Sequence, residues 1–166
     1  RVNGIFQLSD GGGATYEAKT VIIATGTKPR KLHVPGEDKF IGSGVSYCAT
    51  CDGAFFKDKD VVMIGGGDSA IEESLYLARI AKKVIVVHRR DALRAAKDLQ
   101  ERAFGEPKIE FLWDSAVEEI QGQVSVEGIK VRNLKTQEVA VVPVAGVFIY
   151  IGTTPNTEFV EGLLPL

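Results

Sequence analysis

The chain has 166 residues, 45% of them hydrophobic and 25% charged, which is typical of a soluble globular domain with a core of its own. Its formal net charge of −2 provides no general attraction for nucleic acid or for an anionic membrane, and we expect neither as a partner. The only two cysteines form one Cys-x-x-Cys pair, which excludes a disulfide scaffold and indicates a reducing compartment, by default the cytoplasm.

The first predicted elements are two strands, over residues 5–8 and 16–24. We interpret Gly11-Gly12-Gly13 between them as a hairpin turn, because no helix follows these glycines as it would in a phosphate loop. Residues 27–44 are rich in proline and glycine and predict a connection between domains. Both ends of the sequence resemble cut ends, so we expect a piece of a longer protein.

A β-α-β unit is predicted next. Residues 61–64 predict a strand, residues 69–81 a helix with one apolar face, and residues 83–87 a second strand. This order is typical of one half of a dinucleotide-binding fold.

The following helix is predicted to begin after Asp91, interpreted as its N-cap, and to end at Phe104. Its inner face is predicted to comprise Ala92, Ala96, Leu99 and Ala103. Strands are predicted over residues 109–112 and 147–151, with a β-meander over residues 117–142 between them. The predicted fold class is therefore α/β, a Rossmann-like parallel sheet with helices and an added β-meander.

The glycines after the strand at 61–64 match a dinucleotide-binding fingerprint, Gly65-x-Gly67-x-x-Ala70. The first glycine permits the tight turn, the second lets the backbone approach a pyrophosphate, and the third position must be small for helix packing. The alternative is a glycine-rich turn without a ligand. The flanking strand and helix favour nucleotide binding.

The residues after the second strand of this unit indicate which dinucleotide is bound. An NAD site would place an acid there, whereas this chain has His88, Arg89 and Arg90, followed by Arg94. Guanidinium groups bind a 2′-phosphate through charge-assisted hydrogen bonds, so the sequence predicts NADP rather than NAD. A merely solvated basic face is the alternative.

Cys48 and Cys51 lie at redox spacing and are followed directly by Asp52, whose carboxyl group can move the proton that thiol exchange requires. Half of a zinc site is the alternative, but only His33 and His88 remain as nitrogen ligands, so we predict no metal. Two cysteines without function are the second alternative. NADPH gives up a hydride, whereas disulfides are reduced through thiolate chemistry, so a flavin normally transfers the electrons between them.

These motifs, in this order and spacing, strongly resemble the low-molecular-weight thioredoxin reductase family over essentially all residues of the chain. The matching segments are Cys48-Ala49-Thr50-Cys51-Asp52-Gly53, Gly65-Gly66-Gly67-Asp68-Ser69-Ala70, His88-Arg89-Arg90-Asp91 with Arg94-Ala95, Ala24-Thr25-Gly26, and Ile151-Gly152 with Pro155-Asn156. The last two match the places where the family's chain crosses between its FAD and NADPH domains.

The resemblance implies a homodimeric flavoprotein disulfide reductase in which NADPH reduces FAD, FAD reduces the disulfide, and the dithiol reduces thioredoxin. It implies a redox pair of Cys48 and Cys51, with Cys51 nearer the flavin, and Asp52 as the acid. The cofactor-binding residues it implies are Gly65, Gly67, Asp68, Ser69, Ala70, His88, Arg89, Arg90, Arg94, Ile151, Gly152, Ala24, Thr25 and Gly26.

The resemblance also implies a division of the chain. Residues 1–30 and 153–166 would be remnants of the FAD domain, and residues 31–152 the NADPH-binding domain, so the FAD site would be incomplete in this chain. Thr153 stands where some bacterial members have His, so no proton role is assigned there. Two other functions remain open: the flavoprotein subunit of an alkyl hydroperoxide reductase system, and a non-enzymatic NADPH-binding module.

Overall fold

The computed structural model describes residues 4–162, which divide into two compact units. Unit 1 takes the described residues up to Lys28 and from Pro155 onward, and unit 2 is Pro29–Thr154. Of the predicted FAD-domain remnants, residues 1–3 and 163–166 lie outside the described residues.

The described strands, in chain order, are β1 (Phe6–Ser9), β2 (Thr15–Ala18), β3 (Thr27–Pro29), β4 (Val45–Ser46), β5 (Asp60–Gly65), β6 (Lys83–Val87), β7 (Ile109–Leu112), β8 (Ser115–Gly122), β9 (Val126–Asn133), β10 (Val139–Pro143), β11 (Gly146–Tyr150) and β12 (Thr153–Pro155). The helices are α1 (Ala49–Asp52), α2 (Asp68–Ala78) and α3 (Lys97–Phe104). None of the helices within residues 4–162 has the length and apolar character needed to cross a membrane.

In unit 1, β1 and β2 form an antiparallel hairpin with Ser9 opposite Thr15. The carboxylate of Asp10 accepts hydrogen bonds from the backbone amides of Gly12, at 2.9 Å, and Ala14, at 3.0 Å. This Asx-type turn confirms the predicted hairpin at the first run of glycines.

The predicted strand over residues 16–24 is wrong beyond Ala18. Residues 19–26 form no strand, and Ile22 is 91% exposed. An apolar strand is stable only where neighbouring strands satisfy its backbone groups and cover its side chains. No described strand pairs with this segment, so its apolar sequence does not produce a strand here.

Unit 2 is built on a five-stranded parallel sheet with the order β4-β11-β5-β6-β7. Its central strands are buried on both faces, as the apolar runs in the sequence predict. Val61 and Met63 belong to a core cluster shared with α2 and α3. Val62 and Ile64, which alternate with them, belong to a second cluster shared with β8 and β9. The antiparallel sheet β8-β9-β10 is the predicted meander.

The predicted helix after Asp91 begins five residues later than expected, at Lys97. Residues 91–96 are irregular because tertiary hydrogen bonds hold their backbone: the Arg94 amide donates to the Gly66 carbonyl at 2.8 Å, and the Ala96 amide donates to Asp68 Oδ1 at 2.7 Å. Of the four predicted inward-facing residues, Ala103 is buried and Leu99 half-buried, while Ala92 and Ala96 are exposed.

Candidate nucleotide and disulfide site

The turn between β5 and α2 is shaped by the space that its glycines leave. Gly65 has φ +154°, and a Cβ there would collide with the Tyr150 carbonyl oxygen and lie 2.8 Å from the Ala70 Cβ. Ala70 is 1% exposed, so a larger side chain would push α2 away from the sheet. The first and last positions of the fingerprint are therefore both packing positions, which matches the reasons given for them from the sequence.

Gly67 differs from its neighbours, because a Cβ at this position would meet no protein atom within 4 Å. It borders a cavity of about 260 Å³ at the amino end of α2. The other residues that line it are Pro29, Tyr47, Asp68, Ser69, Ala70, Arg94, Ile149, Tyr150, Ile151, Gly152 and Thr153. Open space beside the second glycine, at the start of an 11-residue helix, is what a pyrophosphate requires.

The first turn of α2 carries backbone amides without partners inside the helix and the positive end of the helix dipole. Asp68 and Ser69 both belong to this turn and line the cavity. The carboxylate of Asp68 accepts the hydrogen bond from the Ala96 amide, so this side chain supports the loop that precedes α3. The backbone of the turn is thus the group suited to an anion.

The predicted arginines divide into two groups. Arg94 lines the cavity, and its amide is fixed to the Gly66 carbonyl. Arg89 and Arg90 follow β6, are exposed, and do not line this cavity. Their loop is anchored through the Arg90 carbonyl, which accepts from the Asp114 amide at 3.2 Å.

His88 is buried, with 6% of its surface exposed, and its ring fills the space beside Gly66. Burial lowers the pKa of this imidazole, the charges of Arg94 and Arg90 lower it further, and proximity to the Ala92 and Gly65 backbone partly opposes both effects. His88 Nε2 is buried without a hydrogen-bond partner among the described residues. His88 is therefore held as a neutral ring under the glycine turn rather than presented to the cavity.

Cys48 and Cys51 form a disulfide at the start of α1, with their Cα atoms 5.2 Å apart. Cys48 is the N-cap of this helix and accepts a hydrogen bond from the Cys51 amide at 3.2 Å. Cys48 is half-buried and Cys51 is exposed. The two sulfurs that the sequence paired as a redox couple are thus in bonding contact.

Ser46 connects Cys48 with Asp52. Its hydroxyl accepts from the Cys48 amide at 3.0 Å and donates to Asp52 Oδ2 at 2.6 Å. Asp52 also borders a second cavity, of about 280 Å³, together with Phe55 and Lys59. The carboxylate is therefore held beside the disulfide and open to a cavity, where a proton can enter or leave.

Tyr150 connects the cavity beside Gly67 with the disulfide. It is the last residue of β11, it lines the cavity, and its hydroxyl accepts a hydrogen bond from the Ala49 amide at 2.8 Å. Burial raises the pKa of this hydroxyl, so it remains protonated at neutral pH.

Tyr47 forms part of the same cavity wall, and a buried acid holds it in place. Its hydroxyl donates to Glu37 at 2.6 Å, and the Leu32 and His33 amides donate to the same carboxylate. Glu37 is 2% exposed. Burial of Tyr47 and, to a smaller extent, its hydrogen bond to Glu37 raise the pKa of the Tyr47 hydroxyl.

Sequence reasoning missed Glu37, Ser46, Tyr47 and Tyr150. Only Ser46 gave a local signal, as a serine two residues before the first cysteine.

Ala24, Thr25 and Gly26, which the sequence also proposed for cofactor binding, belong to unit 1. Thr25 and Asn156 exchange hydrogen bonds there: the Thr25 hydroxyl donates to the Asn156 carbonyl at 2.7 Å, and the Asn156 side chain donates to the Thr25 carbonyl at 3.0 Å. All three predicted residues are exposed.

Within residues 4–162 no group of three or more His, Cys, Asp or Glu side chains is placed to hold a metal ion.

Comparison with known proteins identifies relatives that match nearly the whole of this chain. The family model for pyridine nucleotide-disulphide oxidoreductases matches residues 3–165. A thioredoxin reductase from Streptomyces coelicolor is 55% identical over 159 residues, which is 96% of this chain and 49% of that protein. A thioredoxin reductase from Peptoclostridium acidaminophilum is 47% identical, over 99% of this chain and 54% of that protein.

Solved structures give the same result. The Lactococcus lactis thioredoxin reductase in its FR conformation superposes with a TM-score of 0.93 at 45% identity, over 98% of this chain and 54% of that one. The Streptococcus pyogenes thioredoxin reductase superposes with a TM-score of 0.80 at 57% identity, over 90% of this chain and 49% of that one. The chain spans about half the length of the curated relatives it matches.

Proposed function

The chain belongs to the pyridine nucleotide-disulphide oxidoreductase family, and we propose that it carries the NADPH site and the redox disulfide of a thioredoxin reductase. The observation that carries this proposal is Tyr150, which lines the cavity beside the glycine turn and accepts a hydrogen bond from the helix that holds the disulfide. A nucleotide cavity and a disulfide in one compact unit, joined by one side chain, support nicotinamide-linked disulfide chemistry more than either feature does alone.

The residues present fit a bound dinucleotide. Gly67 leaves open space where a pyrophosphate could approach the backbone, and the first turn of α2 would supply amide donors to it. The cavity volume of about 260 Å³ suits the middle of a dinucleotide rather than the whole of it. Arg94 at the cavity, with Arg89 and Arg90 on the loop beyond β6, would hold the 2′-phosphate that distinguishes NADPH from NADH.

In the full-length protein, bound NADPH would supply a hydride and bound FAD would pass the electron pair to the disulfide. Reduction breaks the bond between Cys48 and Cys51 and requires two electrons and two protons to give two thiols. Asp52 would hold or release one of these protons, because its carboxylate lies within the Ser46 hydrogen-bond network beside Cys48.

For the whole protein we propose a homodimeric cytoplasmic flavoprotein whose dithiol reduces thioredoxin or a thioredoxin-like protein. The chain would contribute residues 31–152 as the NADPH-binding domain, and residues 1–30 and 153–166 as parts of the FAD domain. Ala24, Thr25, Gly26, Ile151 and Gly152 would lie where the chain passes between these domains. The names of the relatives and the half-length match support this arrangement.

The test is turnover of the full-length protein with NADPH and oxidised thioredoxin, comparing the wild type with Cys48→Ser and Cys51→Ser. Both variants should be inactive, because a disulfide needs both sulfurs to form and break. Both should still bind NADPH, since neither cysteine lines the nucleotide cavity. Normal turnover in either variant, or turnover of the wild type with a hydroperoxide reductase partner but not with thioredoxin, would contradict the proposal.

A further inference from the structure

Lys135 forms an ion pair with the loop that carries Arg89 and Arg90, although it lies more than 40 positions later in the sequence. Lys135, in the turn between β9 and β10, places its Nζ 3.1 Å from Asp91 Oδ2 and 2.9 Å from Asp114 Oδ2. Asp91 directly follows the two arginines, and Asp114 lies in the connection between β7 and β8. One ammonium group therefore joins three loops at the carboxyl ends of β6 and β7.

Backbone hydrogen bonds hold the same three loops in register. The Asp114 amide donates to the Arg90 carbonyl at 3.2 Å, the Ser115 amide donates to the His88 carbonyl at 3.0 Å, and the Leu134 amide donates to the Asp114 carbonyl. The side chain of Asp114 is only 17% exposed, so this carboxylate is partly withdrawn from water. Hydrogen bonds with Asp114 and Asp91 raise the pKa of Lys135, which keeps the ammonium charged.

The two acids create an electrostatic conflict at a phosphate site. A carboxylate beside the arginines repels a 2′-phosphate and competes with it for their guanidinium groups. Within residues 4–162, Lys135 is the only ion-pair partner that the structure gives either Asp91 or Asp114. Its removal would leave both carboxylates uncompensated: Asp91 lies on the loop that carries Arg89 and Arg90, and the backbone of Asp114 is hydrogen-bonded to that loop.

We propose that Lys135 is a positioning residue for dinucleotide selection: by pairing with Asp91 and Asp114 it fixes the arginine loop and neutralises the two carboxylates that would otherwise oppose a 2′-phosphate. This inference rests on the proposed NADPH site. Lys135 acts through the loop, so it affects the dinucleotide that carries the extra phosphate and leaves the remainder of the nucleotide site unchanged.

The test is isothermal titration calorimetry, which measures the affinity of the wild-type chain and of Lys135→Ala for NADPH and for NADH. Exposed ion pairs are individually weak, so the loss of two should weaken NADPH binding only modestly, by about three- to tenfold. NADH binding should change by less than about twofold. The NADPH effect should shrink in 0.5 M salt, because exposed charges are then screened.

Two further variants distinguish neutralisation of the two carboxylates by Lys135 from a purely structural role of this lysine. Lys135→Arg keeps the charge and should bind NADPH like the wild type. Asp91→Asn in the Lys135→Ala background removes one of the uncompensated carboxylates and should recover at least half of the lost affinity on a logarithmic scale. A purely structural lysine would weaken both nucleotides, and Asp91→Asn would not rescue it.

The matched control is Lys83→Ala. Lys83 pairs with Glu110 at 2.7 Å near the amino ends of β6 and β7, so the variant removes an equal charge and one exposed ion pair far from the arginine loop, which follows the carboxyl end of β6. The Lys83→Ala variant should bind both nucleotides like the wild type. Equal NADPH affinity in Lys135→Ala and the wild type, or equal weakening of NADPH and NADH, would overturn the inference. A wild-type chain that does not prefer NADPH would overturn the proposed function instead.

Discussion

The chain contains two runs of three glycines, residues 11–13 in unit 1 and residues 65–67 in unit 2, and their surroundings differ. Added Cβ atoms at Gly11 and Gly13 would meet nothing within 4 Å, and one at Gly12 would meet only the side chain of Asp10, at 3.3 Å. The first run is a solvent-exposed hairpin turn.

In the second run, other protein atoms occupy the space beside the first two glycines, and the space beside the third is open. A Cβ at Gly65 would collide with the Tyr150 carbonyl, and one at Gly66 would collide with the ring of His88. Gly67 alone faces open space, and that space is the candidate nucleotide cavity. Identical composition therefore carries no function by itself. The strand before and the helix after the glycines decide what the missing side chains make room for.

The largest expected difference between the two runs is in stability. Gly65→Ala combines an unfavourable φ with a backbone collision and should lower the free energy of unfolding by about 3 kcal/mol. Gly12→Ala should change it by less than about 0.5 kcal/mol, because only a flexible exposed side chain lies nearby. Urea unfolding followed by far-ultraviolet circular dichroism measures both, and similar losses for the two variants would remove the distinction.

The next largest difference concerns ligand binding at constant stability. Gly67→Val fills open space with a branched side chain, so it should obstruct a pyrophosphate and weaken NADPH binding by about tenfold or more. The free energy of unfolding should remain within about 1 kcal/mol of the wild-type value. Gly12→Val adds the same atoms to the other run and serves as the control. If Gly67→Val binds NADPH as tightly as Gly12→Val does, the cavity is not the pyrophosphate site.

The smallest expected effect concerns the ring that occupies the space beside Gly66. The pKa of His88 is lowered by burial in the folded chain, while an unfolded histidine titrates near about 6.5. Below that pH the unfolded state binds the additional proton, so His88 should reduce stability as the pH falls from 7 toward 5 and have no effect above 7.

The slope due to His88 can reach about 1.4 kcal/mol per pH unit, the limit for one proton. His88→Gln removes the titrating group and should flatten the dependence of stability on pH in this range. Urea midpoints measured at several pH values test the difference. A wild type and a variant with parallel pH profiles would show that His88 titrates alike in the folded and unfolded states.

Local sequence patterns predicted the elements that are stabilised by local contacts and the strands that are fully buried. Residues 61–64 and 84–87 became parts of central strands because they are apolar throughout, and the glycines after the first of these runs favour a tight turn before a helix. The same reasoning failed at Asp91. Its carboxylate pairs with Lys135 instead of capping a helix, and the loop behind it is held by Gly66 and Asp68.

Of the side chains that sequence reasoning missed, Tyr150 and Tyr47 depend on contacts with residues ten or more positions away. Tyr150 reaches the Ala49 amide across 101 positions, and Tyr47 is placed by a buried carboxylate ten positions away. Each tyrosine resembles an ordinary aromatic residue of a strand or loop in the sequence. Contacts with other segments, which no local pattern encodes, place both tyrosines at the candidate nucleotide cavity.

The most direct test of the central claim, an NADPH site within the unit that holds the disulfide, is a calorimetric titration of the chain and its Arg89→Ala/Arg90→Ala variant with both nucleotides. A 2′-phosphate carries nearly two negative charges, and a hydrogen bond to a charged group is worth about 1.5–3 kcal/mol. The variant should therefore bind NADPH on the order of 10²-fold more weakly. Its affinity for NADH should change little. Unchanged NADPH affinity, or equal weakening of both nucleotides, would contradict the account.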